Sequence, residues 1–262
     1  MTIQRGPRRT ALITGATSGI GESFSRLLAD HGFNLILIAR DITRLDERRR
    51  ELNQKHPELL IETMRADLTV ESDIRTVESR VAQGIDVLVN NAGFGINKSF
   101  TKSSIESERE LMAVLVESPM RLAHHAIPTM LQKSFGIIIN VSSVASFIAG
   151  GSYSAAKSYL TVLSESLHSE LQGTGVKVLA LCPGFTRTEF HQRGRMRMSG
   201  LPKLLWLSPD FVSEAAWRDV QRGKAISVPG WQYKILMLML RLLPRPLVRR
   251  YGMNVKSKQR KD

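Results

Sequence analysis

Short, continuous apolar runs alternate with amphipathic segments along most of the chain. Such runs are typical of strands that are buried on both faces of a parallel sheet, and the segments between them have helical spacing. The predicted strands are 10–14, 34–39, 60–66, 85–89, 136–141, 176–181 and 225–228. The alternation predicts an α/β protein with a Rossmann-type, doubly wound parallel sheet of about seven strands and helices on both faces.

Three glycines follow the first predicted strand directly, in the stretch Gly15-Ala-Thr-Ser-Gly19-Ile-Gly21. A strand, a glycine turn and a helix form the context in which glycines bind phosphate groups. Gly15 would allow the tight turn, Gly19 a close backbone approach and Gly21 close helix packing. The pattern predicts a dinucleotide site, although its spacing is GxxxGxG rather than GxGxxG.

The second predicted strand ends at Arg40, and Arg44 follows one helical turn later. In dinucleotide folds an acidic residue at this place binds the ribose 2′-hydroxyl of NAD, whereas a guanidinium suits a 2′-phosphate. Asp41 fits better as the N-cap of the next helix. This strand end therefore favours NADPH over NADH.

A tyrosine and a lysine four residues apart, Tyr153 and Lys157, share one face of a predicted helix. A free tyrosine has a pKa near ~10, and a nearby ammonium group would lower that pKa. Ser143, with Ser142 as its alternative, follows the fifth strand and could hold a substrate oxygen. These side chains predict a proton-transfer centre for a carbonyl and its alcohol, although a lone Tyr–Lys pair also occurs on many ordinary helix surfaces.

Together these motifs resemble the short-chain dehydrogenase/reductase family. In the family's order, the resemblance rests on Thr14-Gly15, Gly19-Ile20-Gly21, Asn90-Asn91-Ala92-Gly93, Ser143, Tyr153 with Lys157, and Pro183-Gly184 with Thr186 and Thr188. These motifs span residues 10–190, and the glycine spacing is the one this family uses.

The resemblance implies hydride transfer to or from nicotinamide C4 of NAD(P). Tyr153 would be the general acid in reduction and the base in oxidation. Lys157 would lower the pKa of Tyr153 and hold the nicotinamide ribose, while Ser143 would polarise the substrate oxygen. The implied cofactor residues are Gly15, Thr17, Ser18, Gly19, Ile20, Gly21, Arg40, Arg44, Asp67, Leu68, Asn91, Ala92, Gly93, Tyr153, Lys157, Pro183, Gly184 and Thr186.

Within that set the resemblance assigns further contacts. Asp67 and Leu68 would contact the adenine, Asn91 would lie near the nicotinamide ribose, and Thr186 would bind the carboxamide. Two features depart from the family pattern. The interval from Ser143 to Tyr153 is shorter than usual, and Leu115 stands where many members have an asparagine beside the active lysine. The short interval is expected to change one wall of the substrate pocket, and Leu115 is expected to give slow turnover or an altered proton relay.

The net charge of +13 is concentrated near the carboxyl end of the chain. Residues 1–186 contain 20 Lys and Arg against 19 Asp and Glu, whereas residues 187–262 contain 17 against 5. An excess of this kind favours an anionic partner, such as a membrane surface or a phosphate-bearing substrate carrier, or else a solvated basic surface. Interleaved aromatics and a nucleic-acid reading motif are lacking, so a nucleic-acid partner is not predicted.

Residues 185–207 are expected to cover the substrate. Their apolar members, interleaved with Arg193, Arg195 and Arg197, are Met196, Met198, Leu201, Leu204, Leu205 and Trp206. This inventory suits a lipophilic substrate and a plain lid core equally. A later apolar run, 235–240, is too short to span a bilayer and lies between basic residues. It fits a core or oligomer interface, a membrane surface, or a substrate tunnel.

The remaining predictions concern the whole chain. Cys182 is the one cysteine, so no internal disulfide or cysteine metal site is expected, and residues 1–9 lack the apolar core of a signal peptide. A cytoplasmic protein is expected, with membrane association left open. We predict one domain, with residues 10–190 as cofactor-binding and catalytic core and 185–262 as lid, last strand and basic extension.

The predicted function is an NADPH-dependent carbonyl reductase or alcohol dehydrogenase for a lipophilic small molecule, with no metal. The alternative is a cofactor-binding sensor or scaffold with weak or no catalysis. A homodimer or homotetramer through the two long helices is expected.

Overall fold

Seven parallel strands form one sheet in the order β3-β2-β1-β4-β5-β6-β7, which confirms the predicted fold class. The computed structural model describes residues 8–190, 202–244 and 246. The strands are β1 (Thr10–Thr14), β2 (Asn34–Ala39), β3 (Ile61–Arg65), β4 (Val87–Asn90), β5 (Gly136–Val141), β6 (Val176–Leu181) and β7 (Ile226–Ser227). The described helices are α1 (Gly19–Asp30), α2 (Ile42–Lys55), α3 (Glu71–Ala82), α4 (Ile105–Met112), α5 (Ser118–Gln132), α6 (Ser152–Glu170), α7 (Pro209–Gln221) and α8 (Trp231–Leu242).

Side chains of successive strand residues enter two separate cores, one on each face of the sheet. Ala11 and Ile13 point towards α1, α2, α7 and α8, whereas Leu12 points towards α3, α5 and α6. Because both faces are covered, the central strands are apolar throughout and not alternating. This is why the continuous apolar runs of the sequence predicted the central strands.

Four strands have the predicted bounds, and the other three differ at their ends. β3 and β7 are shorter than predicted, and each lies at an edge of the sheet with one neighbouring strand. β4 begins at Val87 rather than at residue 85. Ile85 is fully buried but precedes the ladder, and the Asp86 carboxylate accepts a hydrogen bond from the Thr10 N–H at the start of β1.

The segment predicted as one long helix, 105–132, contains a wide π-helical turn at Ala113–Glu117 between α4 and α5. Pro119 supplies the physical reason, because it has no N–H to donate to the carbonyl of Leu115 four residues earlier. The turn carries Leu115, whose side chain is buried in the core beneath α6.

The parallel strands all end at the same edge of the sheet. Between β1 and β4 the chain reverses its winding direction, since β1 is followed by β2 on one side and has β4 on the other. Ligands of doubly wound sheets bind at such a switch point, outside the carboxyl ends of the strands. The predicted site motifs follow these ends.

Candidate active site

The glycine turn after β1 has the geometry of a phosphate cradle. Gly15 and Gly19 have φ values of +66° and +57°, which side-chain-bearing residues rarely adopt. A Cβ on Gly21 would collide with the Gly15 carbonyl, so this helix start also requires glycine. Ser18 caps α1 without a side-chain hydrogen bond, which leaves the N–H groups of the first turn uncovered by that side chain.

The residues after β4 hold this turn in place. The Asn91 amide donates to the carbonyls of Thr14 (2.9 Å) and Gly15 (3.2 Å). In return, the Thr14 hydroxyl accepts from the N–H groups of Asn91 and Ala92, both at 3.0 Å. Asn91 therefore fixes the turn through its side chain. Its predicted contact with the nicotinamide ribose, like those of Ala92 and Gly93 with the cofactor, stays a prediction.

Ser143 and Tyr153 come together at the ends of β5 and α6. Ser143 begins a short 3-10 turn, Val144–Phe147, and its hydroxyl lies close enough to the Tyr153 phenol to oppose a rise in that group's pKa. Ser142 is buried and donates to the carbonyl of Lys157 at 2.9 Å, so it faces α6 rather than the site. Of the two serines, the structure brings Ser143 to the phenol.

Lys157 lies beneath Tyr153 and is only 4% exposed. Its Nζ donates to the carbonyl of Val141 at 2.6 Å and lies 5.8 Å from the centre of the Tyr153 ring. Burial lowers the pKa of Lys157 to about 8. Burial also raises the pKa of Tyr153 to about 12, against the opposing effect of the Ser143 hydroxyl.

The pKa of Tyr153 therefore lies above its ordinary value and not below it, as the Tyr–Lys spacing suggested, because desolvation outweighs the stabilisation that the ammonium group gives the phenolate. The ammonium approaches the ring and donates to a backbone carbonyl, so desolvation of the phenol decides the direction. At neutral pH both side chains are mainly protonated.

A small cavity beside Lys157 contains Asn90, which the sequence motif included but to which no role was assigned. It is lined by Asn90, Leu115, Ser118, Pro119 and Lys157 among others. The buried Asn90 amide donates to the Asn140 side chain at 2.8 Å, while its Oδ1 has no hydrogen-bond partner among the described residues. The sequence contained one signal for this residue. The apolar strands β4 and β5 each carry an asparagine, and Asn90 pairs in register with Asn140.

Leu115 reaches this region from the π-helical turn. A Cβ on Gly93 would lie 2.9 Å from Leu115 Cδ2 and 3.9 Å from Lys157 Nζ. The Leu115 side chain and the Lys157 ammonium group thus both lie close to Gly93. This neighbourhood agrees with the predicted place of residue 115 beside the active lysine.

The two predicted arginines at the adenosine end differ in their surroundings. The Arg40 side chain is 69% exposed, and its Nη1 lies 3.9 Å from the Asp67 carboxylate. Arg44 Nη1 forms a 2.8 Å ion pair with Glu189, which belongs to the segment after β6. Arg40 is therefore the more accessible cation. Leu68 follows Asp67 and is mostly buried.

The segment after β6 crosses over the glycine turn. The Thr188 methyl carbon lies 2.6 Å from the position of a Cβ on Gly19, so Thr188 faces the turn. Thr186 is buried, donates to the Gly184 carbonyl at 3.1 Å and pairs with Leu207. Thr188 was recognised within the motif but not assigned a contact, and only the fold shows its position over Gly19.

Other predicted residues take simpler places. Thr17 and Ser18 are partly exposed in the glycine turn, and Ile20 packs against the core on the α1 side. Gly184, after Pro183, packs against the Tyr233 ring of α8, where a side chain would collide. Met196, Met198, Leu201, Arg193, Arg195 and Arg197 of the predicted cover lie outside the described residues.

Part of the surroundings of Tyr153 is apolar. The rings of Tyr153 and Phe190 are 5.8 Å apart, and Phe94 and Ile96 pack against the same core cluster as Tyr153. Among the described residues, no group of three His, Cys, Asp or Glu side chains could hold a metal ion.

Comparison with known proteins finds one family across most of the chain. The sequence model of a family described as short chain dehydrogenase matches residues 9–198. The chain is 27% identical to a very-long-chain 3-oxoacyl-CoA reductase-like protein of Arabidopsis thaliana over 95% of this chain and 82% of that protein.

Solved structures agree with this match. A short-chain dehydrogenase from Sphingobium yanoikuyae in complex with NADPH is 30% identical, with a TM-score of 0.81 over 90% of this chain and 97% of that chain. A bulky-bulky ketone specific alcohol dehydrogenase from Comamonas testosteroni is also 30% identical. Its TM-score is 0.78 over 89% of this chain and 92% of that chain.

Proposed function

The chain belongs to the short-chain dehydrogenase/reductase family and is an NAD(P)-dependent oxidoreductase, and from this premise we propose that it reduces the carbonyl group of a bulky, lipophilic small molecule with NADPH. The observation that carries the proposal is the convergence of Ser143 and Tyr153, with Lys157 buried beneath the tyrosine ring. The pair offers two hydroxyl groups to one substrate oxygen.

The residues around the glycine turn fit a dinucleotide. The turn has two left-handed glycines and an uncovered helix start, which suits the pyrophosphate. Arg40 would hold the 2′-phosphate because it is exposed at the end of β2 and only loosely paired. Once bound, the nicotinamide supplies the hydride that reaches the substrate carbon.

The protonation states favour the reductive direction. Tyr153 has a pKa of about 12, so its phenol carries the proton that a reduced carbonyl oxygen must receive. After this transfer the phenolate would be stabilised by the Ser143 hydroxyl and by the nearby Lys157 ammonium group. Oxidation of the alcohol would need the phenolate at the start, and at neutral pH little of it is present.

The apolar neighbourhood supports a bulky substrate. Phe190, Phe94 and Ile96 lie near or share a core with Tyr153, and none of these side chains would pair with a charged substrate. The names of two similar proteins, a very-long-chain 3-oxoacyl-CoA reductase-like protein and a bulky-bulky ketone specific dehydrogenase, point in the same direction. We propose a ketone with long or branched apolar substituents, including an acyl chain.

The alternative of a sensor or scaffold with little catalysis finds less support. Such a protein would need the glycine turn but not a serine beside a partly buried tyrosine above a buried lysine. Residues 185–262 are proposed to complete the substrate side of the same domain.

Tyr153→Phe tests the proposal against a matched control on the same helix. The variant should lose at least a hundredfold of carbonyl reduction, because the proton donor is gone, and should keep NADPH affinity within about twofold. Tyr159→Phe removes an exposed hydroxyl from α6 and should leave both quantities unchanged. The measurement is NADPH oxidation with ketones of graded chain length, beside a fluorescence titration of NADPH.

Retained activity in Tyr153→Phe would overturn the assigned role. Wild-type protein that binds NADPH but reduces no ketone of the series would overturn the proposed substrate class.

A further inference from the structure

The outward side of α8 carries a stripe of exposed apolar side chains. Trp231, Ile235, Leu238, Met239 and Leu242 are between 50% and 76% exposed. Their spacing of four, three, one and three residues places them on one side of the helix. The opposite side, with Tyr233, Met237 and Leu240, is buried against the protein body. Packing of the fold therefore explains only the inner side of α8.

One neighbouring residue extends this stripe. The Gln232 amide donates to the Leu204 carbonyl at 3.2 Å, and the Leu204 side chain is itself 64% exposed. We call Trp231, Ile235, Leu238, Met239, Leu242 and Leu204 the outer α8 face. A stripe of exposed apolar side chains of this kind is uncommon on a soluble monomer and marks a contact with another molecule or with a membrane.

The charge of the adjoining chain selects the partner. Residues 241–262 contain eight Lys and Arg and one acidic residue, Asp262, and Lys234 lies within α8 itself. A symmetric contact between two α8 helices would bring two such segments together, and like charges would repel. An anionic surface instead attracts the cations while it buries the apolar side chains.

We propose that the outer α8 face docks onto the surface of an anionic lipid bilayer. With 12 residues, α8 is about 18 Å long, well short of the roughly 30 Å of a bilayer core. No helix in the described part of the chain is both long and apolar enough to cross a membrane. The geometry therefore fits a helix that lies in the interface plane.

The inner side of α8 connects this surface to the segment that covers the site. The Tyr233 hydroxyl accepts a hydrogen bond from the Phe185 N–H at 2.9 Å and donates to the Leu205 carbonyl. Phe185 comes before the undescribed residues 191–201 of the segment after β6, and Leu205 comes after them. A bilayer on the outer α8 face would thus be linked through Tyr233 to Phe185 and Leu205, which belong to the described parts of that segment.

Vesicle binding tests the inference without any turnover, so its outcome is independent of the proposed function. The full chain is sedimented with vesicles of phosphatidylcholine mixed with phosphatidylglycerol, and with pure phosphatidylcholine vesicles. We expect binding to the mixed vesicles, much weaker binding to the neutral ones, and a loss of binding as salt is added, because salt screens the lysines and arginines.

Three variants separate the apolar and the charged contribution. Ile235→Gln/Leu238→Gln/Leu242→Gln should weaken binding at least tenfold, because it removes three apolar side chains from the contact. Arg249→Gln/Arg250→Gln should weaken it roughly tenfold or more. Leu60→Gln/Phe100→Gln removes exposed apolar side chains elsewhere and should bind like the wild type.

The same samples give the outcomes that overturn the inference. Equal binding by the triple α8 variant and the wild type would place the membrane contact elsewhere. Absence of vesicle binding, together with a smaller mass of the triple variant by light scattering, would identify the outer α8 face as a contact between copies of the chain.

Discussion

At the scale of single residues, burial decides the protonation of the catalytic pair. The sequence places Tyr153 and Lys157 on one helix face, which by itself suggests that the ammonium group lowers the pKa of the phenol. The fold buries Lys157 and partly buries Tyr153, and desolvation shifts each pKa in the direction that favours the neutral form, to about 12 for Tyr153 and about 8 for Lys157. Spacing alone contains no information on this desolvation.

The pKa of Lys157 predicts how carbonyl reduction depends on pH. Tyr153 stays protonated over the accessible range, whereas Lys157 loses its proton as the pH rises through about 8. Without the ammonium group the phenolate left by proton transfer is less stabilised, so kcat for reduction should be level at neutral pH and fall above about pH 8. The measurement is kcat at saturating ketone and NADPH from about pH 6 to about pH 10.

Lys157→Met should lower kcat at neutral pH and should remove the fall in kcat at alkaline pH. A wild-type rate that stays level to about pH 10 would contradict the role given to the ammonium group.

Arg40 is the residue on which the preference for NADPH is expected to depend. Arg40→Gln should weaken NADPH binding at least tenfold and leave NADH binding within about twofold, because only NADPH carries the 2′-phosphate. Arg44→Gln serves as the comparison. Its guanidinium is paired with Glu189 at 2.8 Å, so its loss should matter less. Titration of each variant with both cofactors measures the ratio, and an unchanged ratio in Arg40→Gln would refute the assignment.

At the scale of elements, the prediction succeeded where one physical signal dominates. β1, β2, β5 and β6 are continuous apolar runs buried on both faces, and their bounds follow from the sequence. The edge strands β3 and β7 are less buried and their ends are set by one neighbour, so their bounds could not be read in this way. The π-helical turn also escaped, because apolar spacing continues through it and only the missing N–H of Pro119 interrupts the helix.

The role of Leu115, which lies in that turn, can be tested by measuring stability and turnover separately. Leu115→Asn should lower the free energy of unfolding by about 2–4 kcal/mol, because it removes buried apolar volume and buries an amide. It should also raise kcat at least twofold, since the amide would lie beside Lys157 Nζ. Leu111→Asn, one turn earlier and fully buried, should be destabilised similarly without the gain. Thermal unfolding and kcat per folded molecule measure the two effects.

An unchanged kcat in Leu115→Asn would mean that proton delivery through this place does not limit the reaction. Slow turnover would then need another cause, for which the short segment between Ser143 and Tyr153 is the next candidate.

At the scale of the whole molecule, the sheet brings together residues that the sequence keeps far apart. The common edge of parallel strands made it possible to expect Gly15, Asn91 and Ser143 in one site before any coordinates. Contacts between side chains from different segments could not be expected in the same way. The pairing of Arg44 with Glu189, the position of Thr188 over Gly19, and the Asn90–Asn140 hydrogen bond depend on how the segments are packed.

We propose that the chain forms an oligomer through the outward sides of α5 and α6. Met120, Tyr159 and Val162 are exposed there, and the Tyr159 hydroxyl lies 3.1 Å from the Met120 sulfur, so the two helices present one surface.

Val162→Lys should place a charge in that contact and convert a dimer or tetramer into chains of 29.3 kDa, while Phe100→Lys should not. Light scattering measures the mass. Tyr153 and Lys157 are on the same helix as Val162, so dissociation should also lower the melting temperature of the protein. An oligomer that survives Val162→Lys and is lost in the triple α8 variant would move the interface to the other end of the molecule.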